Sequence, residues 1–292
     1  MIKTAVIGAS GYIGSYLFRA YREVFPDCVG TSFSNNANDL TFFDLRTPDL
    51  DGLKLNESGH EAAIIASAMP NVNWCESHPK ESYELNVQGT LQLVKQLERK
   101  SLTTIFLSSD YVFNGDKGSY SDTAETHPIT EYGRQKAEVE REIPNLTNNY
   151  MILRLSKIYG LEWKDGTLID SLAADFRQNK KIMAATDQFF NPTFVNDVVS
   201  LVIFAQHHKA RGLFNLCNNN KSSRYDIANK LAVSLNVHSS LLQAAPLHSI
   251  TGMEKRPLNT SLECSTLFKQ LQLSLLSIED AIQHVSTNWS GV

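Results

Sequence analysis

The stretch KTAVIGASGYIG, residues 3–14, decides the fold. Its first half is an apolar run that ends at Gly8. Its second half opens YIGSYLFRAYREVF, residues 12–25, whose apolar residues recur at helical spacing. The order is strand, turn, helix, with glycines at positions 8, 11 and 14. In such a turn Gly8 permits the tight bend, Gly11 lets backbone approach a pyrophosphate, and Gly14 allows close packing of helix on strand. Phosphates would rest on unpaired N–H groups at the positive end of the helix dipole. Ser10, Tyr12 and Ile13 belong to the same turn and are expected to contact the bound dinucleotide with the three glycines.

Outward from this motif the chain keeps alternating. DCVGTSF (27–33), LTFF (40–43), EAAIIAS (61–67), TTIFLSS (103–109) and YMILRLS (150–156) read as further strands. ESYELNVQGTLQLVKQLERK (81–100) and EYGRQKAEVEREI (131–143) read as helices between them. Near-continuous apolar strands separated by helices predict an α/β fold, a Rossmann-type doubly wound parallel sheet. The helix FVNDVVSLVIFAQHH (194–208) and the strand GLFNLC (212–217) return to this sheet. The expected division is a dinucleotide-binding domain over 1–160 with 194–217, and a smaller substrate-binding part over 161–193 and 218–292.

At 292 residues the chain can build a full core. A net charge of −4 disfavours a general nucleic-acid or anionic-membrane binder. No apolar run reaches the roughly 20 residues that span a bilayer, so no membrane partner is expected. Cys28, Cys75, Cys217 and Cys264 are scattered without a CxxC pair, which predicts free thiols, a cytoplasmic setting and no metal site.

The choice of dinucleotide is read from the end of the second strand, where an acidic residue would hold a ribose hydroxyl. GTSFSNN (30–36) contains no Asp or Glu, and Ser32 or Ser34 can hydrogen-bond a 2′-phosphate, so NADP(H) is favoured over NAD(H). That stretch has no Arg or Lys to clamp the phosphate. Asp44 and Leu45, after the third strand, either flank the adenine or simply end a strand.

Tyr132-Gly-Arg-Gln-Lys136 places a phenol and an ammonium four residues apart on one helix face. A free tyrosine has a pKa of about 10, and a neighbouring Lys⁺ stabilises its phenolate. The phenol can then protonate a carbonyl oxygen as hydride reaches the carbon. A hydroxyl at a strand end would hold that oxygen by a second bond, and SSDYVFNG (108–115) comes directly after an apolar strand.

With these residues assembled, the sequence resembles the extended short-chain dehydrogenase/reductase family. Within it the likeness is to the dTDP-4-dehydrorhamnose reductase group, which includes the regulatory β subunit of methionine adenosyltransferase. It rests on GASGYIG (8–14), VNWCE (72–76), LNVQGT (85–90), SSDYVFNG (108–115), YGRQKAEVE (132–140), LRLSKIYG (153–160), DQFFNPTFVNDV (187–198), GLFNLCNN (212–219) and RPLNTSLECSTL (256–267). The resemblance implies a catalytic set of Ser109, Tyr132 as general acid, and Lys136 as the ribose-binding group that lowers the tyrosine pKa. It implies that Ser67, Ala68 and Met69 run beside the nicotinamide ribose and that Asn86 braces the site next to the cofactor. Asp110 and Tyr111 are implied to line a sugar pocket, with core packing the other reading of Tyr111. Asn191, Thr193 and Arg256 fall on segments that close over a nucleotide-sugar in relatives, and Arg256 serves either a phosphate or a surface ion pair. Lys157 stands where the reductases usually carry tryptophan, so the substrate at that point is another keto-sugar nucleotide or one with an anionic group. Ser108 is expected to bond only nearby backbone, and Asn114-Gly115 to form a turn.

The function implied is an NADP(H)-dependent reductase of a nucleotide-linked 4-keto-6-deoxysugar. Two alternatives stand beside it. One is a cofactor-binding regulatory subunit like the methionine adenosyltransferase β chain; the other is a nucleotide-sugar epimerase or dehydratase. The assembly state stays open, a homodimer included.

Overall fold

A computed structural model describes residues 1–34, 39–252, 255–269 and 274–288. The chain divides into two compact units. The first comprises Met1–Val112, Thr126–Arg154 and Val199–Phe214; the second comprises Phe113–Glu125, Leu155–Val198 and Asn215–Val292. Phe113–Glu125, together with residues 155–160, 194–198 and 215–217, all expected from the sequence in the first domain, group with the second unit.

The first unit holds β1 (Thr4–Ile7), α1 (Tyr12–Val24), β2 (Thr31–Ser32), β3 (Thr41–Phe42) and β4 (Ala62–Ile65). They are followed by α2 (Val72–Ser77), α3 (Pro79–Tyr83), α4 (Thr90–Arg99), β5 (Thr103–Ser109), α5 (Glu131–Leu146) and β6 (Tyr150–Leu155). The sheet runs β1-β4-β5-β6 and is completed by Gly212–Leu216. β1 pairs parallel with β4, and β4 with β5. On the other side of β1 a parallel bridge joins Val6 to Gly30, and β2 pairs parallel with β3. Alternation along β1 shows why helices cover both faces. Ala5 and Ile7 point into a core shared with Leu93 and Leu97 of α4 and with Val139 and Ile143 of α5. Thr4, on the opposite face, accepts a bond from Gln206 of the Val195–His207 helix at 2.9 Å. The same Gln206 takes the Tyr21 hydroxyl of α1.

The helix expected over 81–100 is three segments: α3, a π-helical turn over Glu84–Gly89, and α4. One wider turn barely disturbs apolar spacing, so periodicity does not reveal it. At its end a Cβ on Gly89 would lie 2.0 Å from the Leu45 carbonyl oxygen, so only glycine lets the segment after β3 pack there.

The second unit has its own core of Ile169 and Phe176 from the helix Leu168–Arg177, Ile227 and Leu231 from Arg224–Ser234, and Ile282 from Ile278–Asn288. Short strand pairs complete it, among them Ile182–Ala185 with Leu242–Ala245 in parallel. Ser223 and Asp226 close a capping box at the start of Arg224–Ser234. Among the described residues no helix is long and apolar enough to cross a membrane. All four cysteines are buried free thiols.

Candidate active site

The turn after β1 separates the three glycines by role. A Cβ on Gly8 (φ +92°) would lie 2.6 Å from the Ser67 backbone nitrogen, and one on Gly14 would lie 2.1 Å from the Gly8 carbonyl oxygen. Both glycines are demanded by the fold itself. Gly11 is not: a Cβ there meets only the Gly8 oxygen, at 3.3 Å. The room above Gly11 therefore serves something other than packing. Gly11 is also the N-cap of α1 and provides no side-chain cap, and no acid occupies the first turn. Its N–H groups suit an anion. Ser10 is exposed and Tyr12 and Ile13 are half-buried around this turn.

At the end of β2, the Ser32 hydroxyl is buried and accepts the Ser34 amide at 3.0 Å, while Ser34 is exposed. Asn35 and Asn36 of the same stretch lie outside the described residues. Asp44 is clamped by Arg46 through Nη2 at 2.7 Å and Nε at 3.0 Å, which holds its carboxyl below the usual range. The Arg46 guanidinium lies 5.1 Å from the Phe33 ring centre, and Phe33 packs near Phe42. A cation thus stands beside the end of β2. Reading residues 30–36 alone overlooked it, because Arg46 follows β3 and arrives through the β2–β3 pairing.

The strand end and helix face meet as the sequence suggested. Thr130 caps α5 by accepting the Gly133 amide at 3.1 Å, and Glu76 accepts the Glu131 amide at 2.6 Å. A Cβ on Gly133 would fall 2.1 Å from the Tyr111 carbonyl oxygen. This glycine, missed as a functional position, lets the first turn of α5 reach the end of β5. There the Ser109 hydroxyl lies close enough to Tyr132 to lower the pKa of its phenol. Ser109 Oγ also donates to Asp110 Oδ1 at 3.1 Å and accepts the Tyr111 amide at 3.2 Å. The Tyr111 ring meets Tyr132 edge-on, with centroids 6.2 Å apart. Tyr111 is half-buried and Asp110 is buried.

Lys136 Nζ donates to the Leu107 carbonyl at 2.9 Å and lies 5.9 Å from the Tyr132 ring centre. Burial lowers its pKa to about 8, opposed mainly by the charge of Glu140. Burial raises the Tyr132 phenol strongly, and the Ser109 hydroxyl pulls it back. The phenol therefore holds its proton at neutral pH, and the lowering expected from Lys136 gives way to burial. Ser108, expected to bond backbone, instead donates to the Glu140 carboxylate at 2.6 Å.

Asn86 sits in the π turn with both ends of its amide engaged. Its oxygen accepts the Met69 N–H at 2.7 Å, and its nitrogen donates to the Met69 carbonyl at 3.2 Å and to Gln135 Oε1 at 2.7 Å. It braces the Ser67-Ala68-Met69 loop against α5, and these amide bonds are all to protein. The four substrate candidates of the second unit divide. Lys157 is exposed and Arg256 half-buried. Asn191 and Thr193 are interior, which departs from the expectation that they face a ligand. Asn191 donates to the Asn218 carbonyl at 2.8 Å and accepts the Leu262 amide at 2.6 Å. Thr193 Oγ1 donates to the Asn191 carbonyl at 3.2 Å and accepts the Asn218 amide at 3.1 Å. Their polarity ties loops together inside the unit.

The first unit thus joins a parallel sheet, a glycine turn after its first strand, and Ser109, Tyr132 and Lys136 near the end of β5. Residues 2–290 match the RmlD substrate binding domain family model, and the chain belongs to that family. The probable low-salt glycan biosynthesis reductase Agl14 of Haloferax volcanii is 24% identical, over 98% of this chain and 97% of its own. Methionine adenosyltransferase 2 subunit beta of Xenopus laevis is 26% identical, over 91% of this chain and 82% of its own. The crystal structure of dTDP-4-dehydrorhamnose reductase from Bacillus anthracis in complex with NADP shares the fold, with a TM-score of 0.83. It is 21% identical and covers 98% of this chain and 99% of its own.

Proposed function

We propose that the protein is an NADP(H)-dependent reductase of a nucleotide-linked 4-keto-6-deoxysugar. The observation that carries the reading is the meeting of Ser109, Tyr132 and Lys136 at the carboxyl end of β5, in the unit that holds the glycine turn. Family membership and the named reductases among the relatives support the substrate class.

The dinucleotide would lie with its pyrophosphate on the N-terminus of α1 above Gly11, and with its ribose ends near Arg46 and Lys136. Arg46 beside the end of β2 and the lack of an acid in residues 30–36 favour a 2′-phosphate, which would share the guanidinium with Asp44. Bound there, the reduced nicotinamide supplies hydride to the keto carbon. Tyr132 gives the carbonyl oxygen its proton, and burial keeps that proton on the phenol until it is needed. Ser109 holds the same oxygen in line. Lys136 stabilises the phenolate left behind, which requires the lysine to be protonated. Asp110 and Tyr111 would border the sugar.

Consumption of NADPH with a panel of dTDP-linked 4-keto sugars tests the activity. Tyr132→Phe should cost on the order of 10²–10⁴ in rate while the protein stays folded. Near wild-type turnover in that variant would refute the mechanism. The likeness to methionine adenosyltransferase β subunits supports a second reading, a regulatory subunit. A purified chain that reduces no sugar but co-purifies with a methionine adenosyltransferase would favour it.

A further inference from the structure

Leu107, Ser108 and Ser109 are consecutive at the end of β5 and face α5. The Leu107 carbonyl accepts from Lys136 and the Ser108 hydroxyl donates to Glu140, while the Ser109 hydroxyl lies beside Tyr132. Tyr132, Lys136 and Glu140 succeed one another at four-residue spacing, so they share one helix face. Three successive strand residues thus meet three successive turns of α5, two of them through hydrogen bonds. Glu140 is itself held by Arg154 of β6, through Nη2 to Oε2 at 2.7 Å and Nε to the two oxygens at 3.0 and 3.1 Å. The two side chains are only 5% and 4% exposed. An ion pair this buried is a poor source of stability, because desolvation offsets its attraction. Its placement calls for another explanation.

We propose that Glu140 is a positioning residue: with Ser108 and Arg154 it sets the rotation of α5 against the end of β5 and supplies the anion that balances the Lys136 ammonium. This rests on the reading of Tyr132 and Lys136 as the catalytic pair. The groups facing Lys136 are Tyr132 and Glu140 from its own helix and the Cys75 thiol from α2. Asp110 and Tyr111 face Tyr132 from the turn after β5, and Arg154 of β6 lies beyond Glu140. Among these, Glu140 does most to keep the ammonium charged against burial.

The test compares the whole chain carrying Ser108→Ala, Glu140→Gln or Tyr132→Phe, each checked for folding by thermal melting. Turnover is measured with NADPH and dTDP-linked 4-keto-6-deoxysugars, and NADPH affinity separately by its fluorescence, both across pH. Ser108→Ala should lower kcat on the order of tenfold with KM for NADPH nearly unchanged, the signature of misplacement rather than lost binding. Glu140→Gln should lower kcat on the order of 10² and move the alkaline limb of the profile to lower pH. A purely structural role would lower the melting temperature and leave that limb in place. If Glu140→Gln does not fold, Ser108→Ala decides. If the wild type reduces no sugar in the panel, the pH limb of NADPH affinity decides, and an unmoved limb in folded Glu140→Gln overturns the proposal. Folded Ser108→Ala with wild-type kcat also overturns it. Wild-type turnover in Tyr132→Phe would instead overturn the catalytic pair itself.

Discussion

In the proposed mechanism Lys136 sets stability against chemistry. Burial lowers its pKa from 10.5 to about 8 in the folded protein. Between those values the unfolded chain binds the proton and the folded chain does not, so stability rises with pH through that window. Below about pH 8 the full cost of a buried ammonium is present, roughly 3 kcal/mol at 1.36 kcal/mol per unit. Lys136→Met should therefore gain stability at neutral pH, less about 1 kcal/mol for the orphaned Leu107 carbonyl. The gain should fade as pH approaches 10.5, and activity should be lost. Urea denaturation at neutral and alkaline pH measures this; a gain independent of pH would contradict the burial account. Arg46 gives a second prediction at this scale. Arg46→Ala should weaken NADPH binding roughly tenfold while NADH binding changes little, since only NADPH carries the extra phosphate. Equal losses for both would place Arg46 elsewhere than at the 2′-phosphate.

At the level of elements, close approaches decide what substitutions do. Gly14→Ala drives a Cβ onto the Gly8 carbonyl at 2.1 Å and should prevent normal folding. Gly11→Ala meets that oxygen at 3.3 Å, so it should fold and lose dinucleotide affinity instead. Circular dichroism together with NADPH titration separates the two. Gly133→Ala should push the first turn of α5 off the Tyr111 carbonyl and lower kcat more than it raises KM for NADPH. The strand–helix alternation of the first unit was legible because each buried strand is a short apolar run between helical patterns. The π turn was not, since Asn86 differs from an ordinary helix residue only through its bonds to Met69 and Gln135. Those partners lie 17 and 49 residues away along the chain.

For the molecule as a whole, a dinucleotide that binds only the folded protein stabilises it by mass action. NADPH at a hundredfold excess over its Kd should add about 2.7 kcal/mol, visible as a rise in Tm. No rise would remove the basis for the proposed cofactor. The parallel sheet and the glycine turn after its first strand were legible in the sequence alone. These are local matters: apolar runs and residue spacing. Only the tertiary structure decided how the remaining polar groups are used. Asn191 and Thr193 are spent inside the second unit, Asn86 holds a loop, Arg46 brings charge to the end of β2, and Glu140 of α5 pairs with Arg154 of β6. Whether a polar side chain faces a ligand or a neighbouring backbone depends on partners distant in the chain. Composition and spacing hold no record of those distances.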